Sequence, residues 1–342
     1  MSRALATIQT IKSISPIPGA DLIVLAEFQS IYWQCVMKKS EAQTGSKVVY
    51  FEIDSLLDAG NPIFSFMADR KYRIKTIKLR GQISQGLAIP LNQFEGIKDG
   101  EDGTDLTEVL KITKYVPPEE LACEGGSSNS FKEFPSFIYK TDEPRAQTLT
   151  NLETILATQD LKVTIKLDGT SATYYHFQEE FGICSRKLKF GENTIQNKNN
   201  VHFFEMAARY DIENRLKTLG RNVAIQGEII GPRINGNRLK IATYGFYVFT
   251  GQDLLKGKRM TPGELDELIK ELNEIKSDGI PLVQVPSLGK LTPGTLKSYG
   301  DLLELSKGDF GLSKELREGI VCRNDNLSFK VINPEYLLKH KI

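Results

Sequence analysis

The chain has 342 residues with 44 Lys and Arg against 43 Asp and Glu, so its net charge of +1 excludes a global basic field, and any nucleic-acid partner must be argued from a local site. The length exceeds one ordinary domain and suits two, each with its own core. With 40% apolar and 25% charged residues, no apolar run near the roughly 18 residues of a bilayer span, and no secretory core after Met1-Ser2-Arg3-Ala4, the expectation is a soluble, intracellular protein, a monomer with no membrane partner.

The four cysteines, Cys35, Cys123, Cys184 and Cys322, lie far apart without CxxC spacing, which removes a zinc ribbon and disfavours a disulfide framework. His176, His202 and His340 form no HExxH or other ligand pattern. Neither GxxxxGK[ST] nor a GxGxxG between strand and helix occurs, so a P-loop kinase is excluded.

In chain order, β-rich runs at Ala4 to Ile11, Leu22 to Met37, Lys47 to Ile53, Tyr72 to Leu79 and Gly86 to Pro90 predict a small all-β module, an OB-fold barrel over residues 1–116. Residues 117–132, including Pro117-Pro118 and the run from Cys123 to Ser130, are rich in Gly, Ser and Pro and predict a linker. Residues 133–342 then mix strands and helices as an α+β domain. Strands are predicted at Val163 to Leu167, Ile183 to Ser185, Val223 to Ile230, Phe246 to Phe249, Ile320 to Cys322 and Leu327 to Ile332. Val201, Phe204, Ala208, Ile212 and Leu216 recur at helical spacing and predict one helix between Asn199 and Leu219. Thr261-Pro262-Gly263-Glu264 predicts a helix start with a capping box, and Thr292-Pro293-Gly294 a second, weaker start.

The chemistry concentrates in Thr164-Ile165-Lys166-Leu167-Asp168-Gly169. Alternation places Val163, Ile165 and Leu167 on one face of a strand and Thr164, Lys166 and Asp168 on the other, and Asp168-Gly169 is a turn pair that stops it. A lysine so held can act as a nucleophilic amine. To attack near neutral pH it must release a proton held with a reference pKa of about 10.4, at a cost of roughly 4 kcal/mol, which partial desolvation and neighbouring cations can supply. Downstream, Glu228, Glu318 and Lys330 also sit on or beside otherwise apolar strands. A carboxylate there is costly unless it binds something, and together these charges suit a nucleoside triphosphate better than a core.

Lys166-Leu167-Asp168-Gly169, Ser185-Arg186, Gly227-Glu228, Phe246 to Phe249, Glu318-Gly319 and Phe329-Lys330 resemble, in order, the motifs of the covalent nucleotidyltransferase superfamily of ligases and capping enzymes. Within it the chain is similar to ATP-dependent RNA ligases of the Naegleria type. These have an N-terminal OB domain and segments similar to Val49 to Ser55, Leu79 to Leu87 and Phe134 to Glu143. The resemblance implies an OB-fold followed by an α+β nucleotidyltransferase (ATP-grasp-like ligase) domain with antiparallel sheets. It implies sealing of RNA 3′-hydroxyl and 5′-phosphate ends through lysyl-AMP on Lys166. Arg145, Ile165, Asp168, Gly169, Arg186, Glu228, Phe249 and Lys330 would bind ATP, Phe249 stacking on adenine and Lys330 reaching the α-phosphate. Asp168, Glu228 and Glu318 would hold Mg²⁺ or Mn²⁺ through its waters. Two departures are Ser328 and Ile332 around Lys330, where a second lysine is frequent, and Thr250, where related ligases often carry Asp. The competing readings are a DNA ligase or capping-type nucleotidyltransferase, and a non-catalytic RNA-binding protein in which Tyr32, Trp33, Lys38 and Lys39 would grip the strand.

Overall fold

Apolar alternation makes the N-terminal strands, and one of them is long enough to serve two neighbours. The computed structural model describes residues 3–116, 131–191 and 200–342, and the predicted linker lies almost wholly outside them. Strand β1 (Ala6–Ile17) pairs through its first half with β4 (Lys47–Phe51) and through its second half with β2 (Ala20–Phe28), with a register irregularity between Ile11 and Ser13. With β3 (Gln34–Lys38) and β8 (Leu87–Pro90) this gives an antiparallel sheet of order β3-β2-β1-β4-β8, curled as an OB-type half-barrel. Small pairs join β5 (Ser55–Leu56) to β9 (Thr113–Lys114) and β6 (Thr76–Leu79) to β7 (Gln82–Gln85). Ile8, Trp33, Tyr50, Phe51 and Phe64 fill the interior. The run predicted from Leu22 to Met37 is two strands: Leu25 faces Val36 across a hairpin whose connection carries the buried Trp33.

The chain divides into two compact units, and the first also includes residues 145–152 and the C-terminal helix Pro334–His340. The second unit holds two antiparallel sheets. Its further elements are β10 (Phe131–Glu133), α1 (Leu152–Thr158), β11 (Leu161–Lys166), β12 (Thr170–Phe177), β13 (Glu180–Cys184), β14 (Leu188–Phe190), α2 (Val201–Arg209), α3 (Ile212–Leu219), β15 (Val223–Ile230), β16 (Gly245–Asp253), β17 (Lys258–Arg259), α4 (Pro262–Glu274), β18 (Val283–Gln284), β19 (Ser287–Leu291), α5 (Tyr299–Ser306), β20 (Gly319–Arg323) and β21 (Ser328–Ile332). The larger sheet runs β10-β14-β13-β12-β15-β16-β17, and the smaller runs β19-β11-β20-β21. Helices α2, α3 and α4 cover one face of the larger sheet, packing Phe203, Leu216 and Leu268 on Tyr174, Ile225, Phe246 and Val248. On its other face Ile165, Leu167, Ile230, Leu239, Val285 and Phe310 tie the two sheets together.

Helix α4 starts as predicted, with Thr261 accepting from Glu264 N and Glu264 accepting from Thr261 N. Two helix predictions need correction. The run from Asn199 to Leu219 is two helices because Asp211 adopts the left-handed conformation (φ 50°, ψ 43°), which Asp tolerates better than most residues, and its carboxylate accepts from Asn214 at 2.8 Å. The second weak start fails too: Thr292-Pro293-Gly294 forms a turn with Gly294 at φ 77°, and helix α5 begins after Ser298, which makes its own capping box with Asp301.

Candidate active site

Residues 167–169 carry the chain from β11 in the smaller sheet into β12 in the larger one. Lys166 is the last residue of β11, its side chain on the polar face opposite the buried Val163 and Ile165. Gly169 lies against β15 so closely that a Cβ there would fall 2.3 Å from the Ile229 carbonyl and 2.9 Å from Glu228 Cγ. The glycine is therefore a condition for bringing the two sheets together at the lysine.

Lys166 faces Gly319 across the β11–β20 ladder, which places the preceding Glu318 beside it, with Glu318 Oε2 2.6 Å from Lys166 Nζ. The larger sheet contributes Glu228, opposite Ser171 on β12. Asp168 is held by Arg238 at 3.0 Å and by Asn235 at 2.8 Å. Burial pushes the Glu228 carboxyl up to about 8, with Glu318 and Asp168 adding to the effect and Lys166 opposing it. Burial likewise raises Glu318, against the pull of Lys166.

Burial opposes the charge on Lys166, yet Glu318, Glu228 and Asp168 outweigh it and hold the ammonium above the ordinary lysine range. This corrects the expectation of a lysine depressed by cationic neighbours. The neighbours are anions, and the amine is stored in its protonated form.

Around this centre the structure gathers most of the expected residues. Lys330 on β21 lies 3.0 Å from Asp142, and the same carboxylate pairs with Arg186 at 3.1 Å. Phe249 on β16 packs on the apolar cluster under β11 and lines a cleft with Thr164, Thr250, Met260, Val285 and Arg323. The Ile165 side chain is buried in the apolar cluster with Leu167, Ile230 and Phe310. Arg145 follows Pro144, whose carbonyl accepts from Lys330 N at 2.9 Å, and its guanidinium donates to Asp54 at 2.8 Å.

Sequence reasoning missed Asp142, which ties Lys330 to Arg186, and the pair Arg238 and Asn235. The Asn- and Gly-rich stretch from Asn235 to Asn237 signals a turn, but its partner Asp168 is 67 residues away from Asn235, beyond any local pattern. Among the described residues no three His, Cys, Asp or Glu side chains are drawn close enough to chelate a metal directly.

A strand-end amine between two antiparallel sheets, under the charge of Glu318, Glu228 and Asp168 and with Lys330 and Arg186 sharing Asp142, is chemically equipped to take up a phosphoryl group. Residues 5–91 match an OB-fold domain family and residues 159–339 match the RNA ligase family. Structures of the Naegleria gruberi RNA ligase are similar throughout. An aspartate-to-alanine variant without ligand is 36% identical with a TM-score of 0.87, covering 99% of this chain and 98% of that one. The ligase with PPi is 35% identical at TM-score 0.86, covering 99% of each chain. A glutamate-to-alanine variant with ATP and Mn is 35% identical at TM-score 0.88, covering 99% of this chain and 100% of that one. No curated protein sequence matches. This chain belongs to the RNA ligase family.

Among the described residues no helix is long and apolar enough to cross a membrane.

Proposed function

We propose that this chain seals RNA 3′-hydroxyl and 5′-phosphate ends with ATP, through a covalent AMP adduct on Lys166. The reading is carried by one observation: Lys166 Nζ sits at the crossing of two sheets, hydrogen-bonded to Glu318 at 2.6 Å and under the charge of Glu228.

In the first step Lys166 Nζ attacks the α-phosphorus of ATP. The P–N bond forms, the α–β P–O bond breaks, and pyrophosphate leaves with the bonding electron pair. Lys166 must first give its proton to Glu318, its hydrogen-bond partner, whose raised proton affinity suits the acceptor's role. Lys330, released from Asp142, meets the charge that develops at the α-phosphate, with Arg186 beside it. Phe249 offers its exposed face to adenine, and Asp168, Glu228 and Gly169 line the nucleotide's sugar and phosphate side. In the second step a 5′-phosphate oxygen of RNA attacks the same phosphorus, the P–N bond breaks, and Lys166 takes back a proton. In the third step the 3′-hydroxyl oxygen attacks the 5′-phosphorus of the capped end: the phosphodiester bond forms, the phosphoanhydride P–O bond breaks, AMP leaves with the bonding electron pair, and the hydroxyl proton passes to solvent.

The donor set fits a hard divalent ion. Asp168, Glu228 and Glu318 are mutually repelling carboxylates, and Glu228 is driven up to about 8 by burial and by the other two. Because they are not gathered for direct chelation, Mg²⁺ or Mn²⁺ would be held through its water ligands. When bound, the ion supplies positive charge that loosens the proton on Lys166 and offsets charge on the departing pyrophosphate. All these groups come from one unit of one chain, so a monomer suffices.

The test has two arms. Incubation with α-labelled ATP and Mn²⁺ yields an acid-labile protein adduct that Lys166→Ala abolishes, and the wild type then seals a 3′-hydroxyl/5′-phosphate nick with RNA flanks. Label retained by Lys166→Ala overturns the nucleophile. An adduct made from GTP, or sealing confined to DNA, overturns the substrate.

A further inference from the structure

Phe249 is the extra residue of a β-bulge. Strands β15 and β16 pair as Gly227 with Val248 and Gln226 with Thr250, so Phe249 between them has no partner. In a regular strand Phe249 and Thr250 would point to opposite faces, yet both line the same cleft, as a bulge that re-aims side chains allows. Gly227 makes room for it: a Cβ there would lie 2.4 Å from the Phe246 ring and 2.5 Å from the Tyr247 carbonyl.

A bulge takes its carbonyl out of the ladder, and that group needs a partner elsewhere. The Phe249 carbonyl accepts from Arg323 Nη1, on β20 of the smaller sheet. Arg323 is itself pinned. Its Nη2 donates to Glu143 Oε1 at 2.8 Å and its Nε to Ser328 Oγ at 3.2 Å, while Ser328 donates to the same Glu143 oxygen at 3.2 Å. Both charged side chains are largely buried, 11% and 13% exposed, and Arg259 lies 3.7 Å from the same Glu143 oxygen.

Glu143 is also registered on the strand that carries Phe249. Tyr139, four residues earlier, exchanges hydrogen bonds with the Gln252 side chain, Tyr139 N donating at 2.8 Å and its carbonyl accepting at 2.8 Å. The planar guanidinium thus spans from one sheet to the bulge of the other, in a fork that a lysine cannot reproduce.

We propose that Glu143 and Arg323 are positioning residues that fix the bulged Phe249 as the wall on which the nucleobase stacks, and so set affinity for ATP without touching its phosphates. The inference rests on the reading of Phe249 as the adenine platform.

The readout is KM for ATP and kcat of adduct formation in the full-length chain, for Phe249→Ala, Arg323→Lys, Glu143→Gln and the double variant Phe249→Ala/Arg323→Lys. Arg323→Lys keeps a cation against Glu143, and thermal melts verify folding. The expected result is a KM for ATP raised about tenfold in Arg323→Lys with kcat within about threefold, and less than about a threefold further rise when the same change is made in Phe249→Ala. Glu143→Gln should show the same split and serves alone if Arg323→Lys does not fold. An unchanged KM in these variants while Phe249→Ala is impaired overturns the proposal and spares the platform. A full effect in the absence of Phe249 also overturns it, because the arginine then acts by another route. If Phe249→Ala itself leaves KM unchanged, the platform reading falls and takes the proposal with it.

Discussion

Lys166 and Glu318 are 152 residues apart in sequence and 2.6 Å apart in space, joined because the Lys166–Gly319 register of β11 and β20 leaves the glutamate just past the ladder. The nucleophile is therefore stored as an ion pair. Glu318 both restrains the amine and is the group to which its proton is nearest.

Removing that anion should lower the proton affinity of Lys166. The side chain is held above its ordinary range by Glu318 first among the charges, so in Glu318→Gln the neutral amine appears at lower pH. Acylation of Lys166 in the nucleotide-free protein, resolved by peptide mass spectrometry across pH 7–11 (about the range in which lysine titrates), should show its inflection displaced downward. Adduct formation from ATP should nevertheless fall by about 100-fold or more, since the proton acceptor is lost. An inflection that stays in place contradicts the assigned coupling.

Glu228 predicts a pH-dependent stability. Its folded value of about 8 lies above the ordinary 4.5, so the folded chain binds this proton more tightly than the unfolded chain. That contribution is present in full below about pH 4.5 and is lost as pH rises to about 8. Glu228→Gln keeps the shape and removes the titration, so its advantage in thermal melts should be small near pH 5 and grow to about 5 °C at pH 8.5, on the order of 2 kcal/mol. Added Mn²⁺ should narrow the gap by stabilising the wild type. A pH-independent difference would count against the buried-carboxyl assignment.

The legible parts of this site are those with a local cause. Alternation placed Lys166 opposite Ile165, and the Asp168-Gly169 pair correctly ended β11, because a strand's period and a turn's residue types are written in consecutive positions. The capping box at Thr261 is local in the same way. Nothing local announces that β11 and β20 share a sheet while β12 and β15 build another, nor that Asp142 lies between Lys330 and Arg186. The Phe249 bulge was invisible for a related reason: its run of apolar residues reads as a plain strand, and the extra residue shows only against the register of β15. The pairing of Arg145 with Asp54, 91 residues earlier, is likewise beyond any local pattern.

Ser298 offers a control for effects on the fold alone. It caps α5 by accepting from Asp301 N, and no catalytic role is assigned to it. Ser298→Ala should cost about 1 kcal/mol, lowering the melting temperature by about 3 °C, with adduct formation within about twofold of wild type. A large loss of adduct at intact stability would show that α5 communicates with the site.

Gly169→Ala tests whether the sheet crossing sets the nucleophile. The added methyl would sit 2.3 Å from the Ile229 carbonyl, and backbone on a central strand cannot move aside as a flexible side chain would. Overpacking of this kind costs about 1–3 kcal/mol, which a domain of this size tolerates, so the variant should fold with a lowered melting temperature. Relief would come from parting β15 and the turn that ends β11, which moves Lys166 away from Glu228. A displacement near 1 Å in a reacting group costs about 100-fold in rate, so adduct formation should drop by that order at saturating ATP and Mn²⁺. Because the side chains of Lys166, Glu318 and Lys330 are unchanged, the loss would be one of placement, visible in kcat with KM for ATP little altered. A folded Gly169→Ala protein that forms adduct at the wild-type rate would mean the lysine is positioned by its ion pair with Glu318 and not by the crossing of the two sheets.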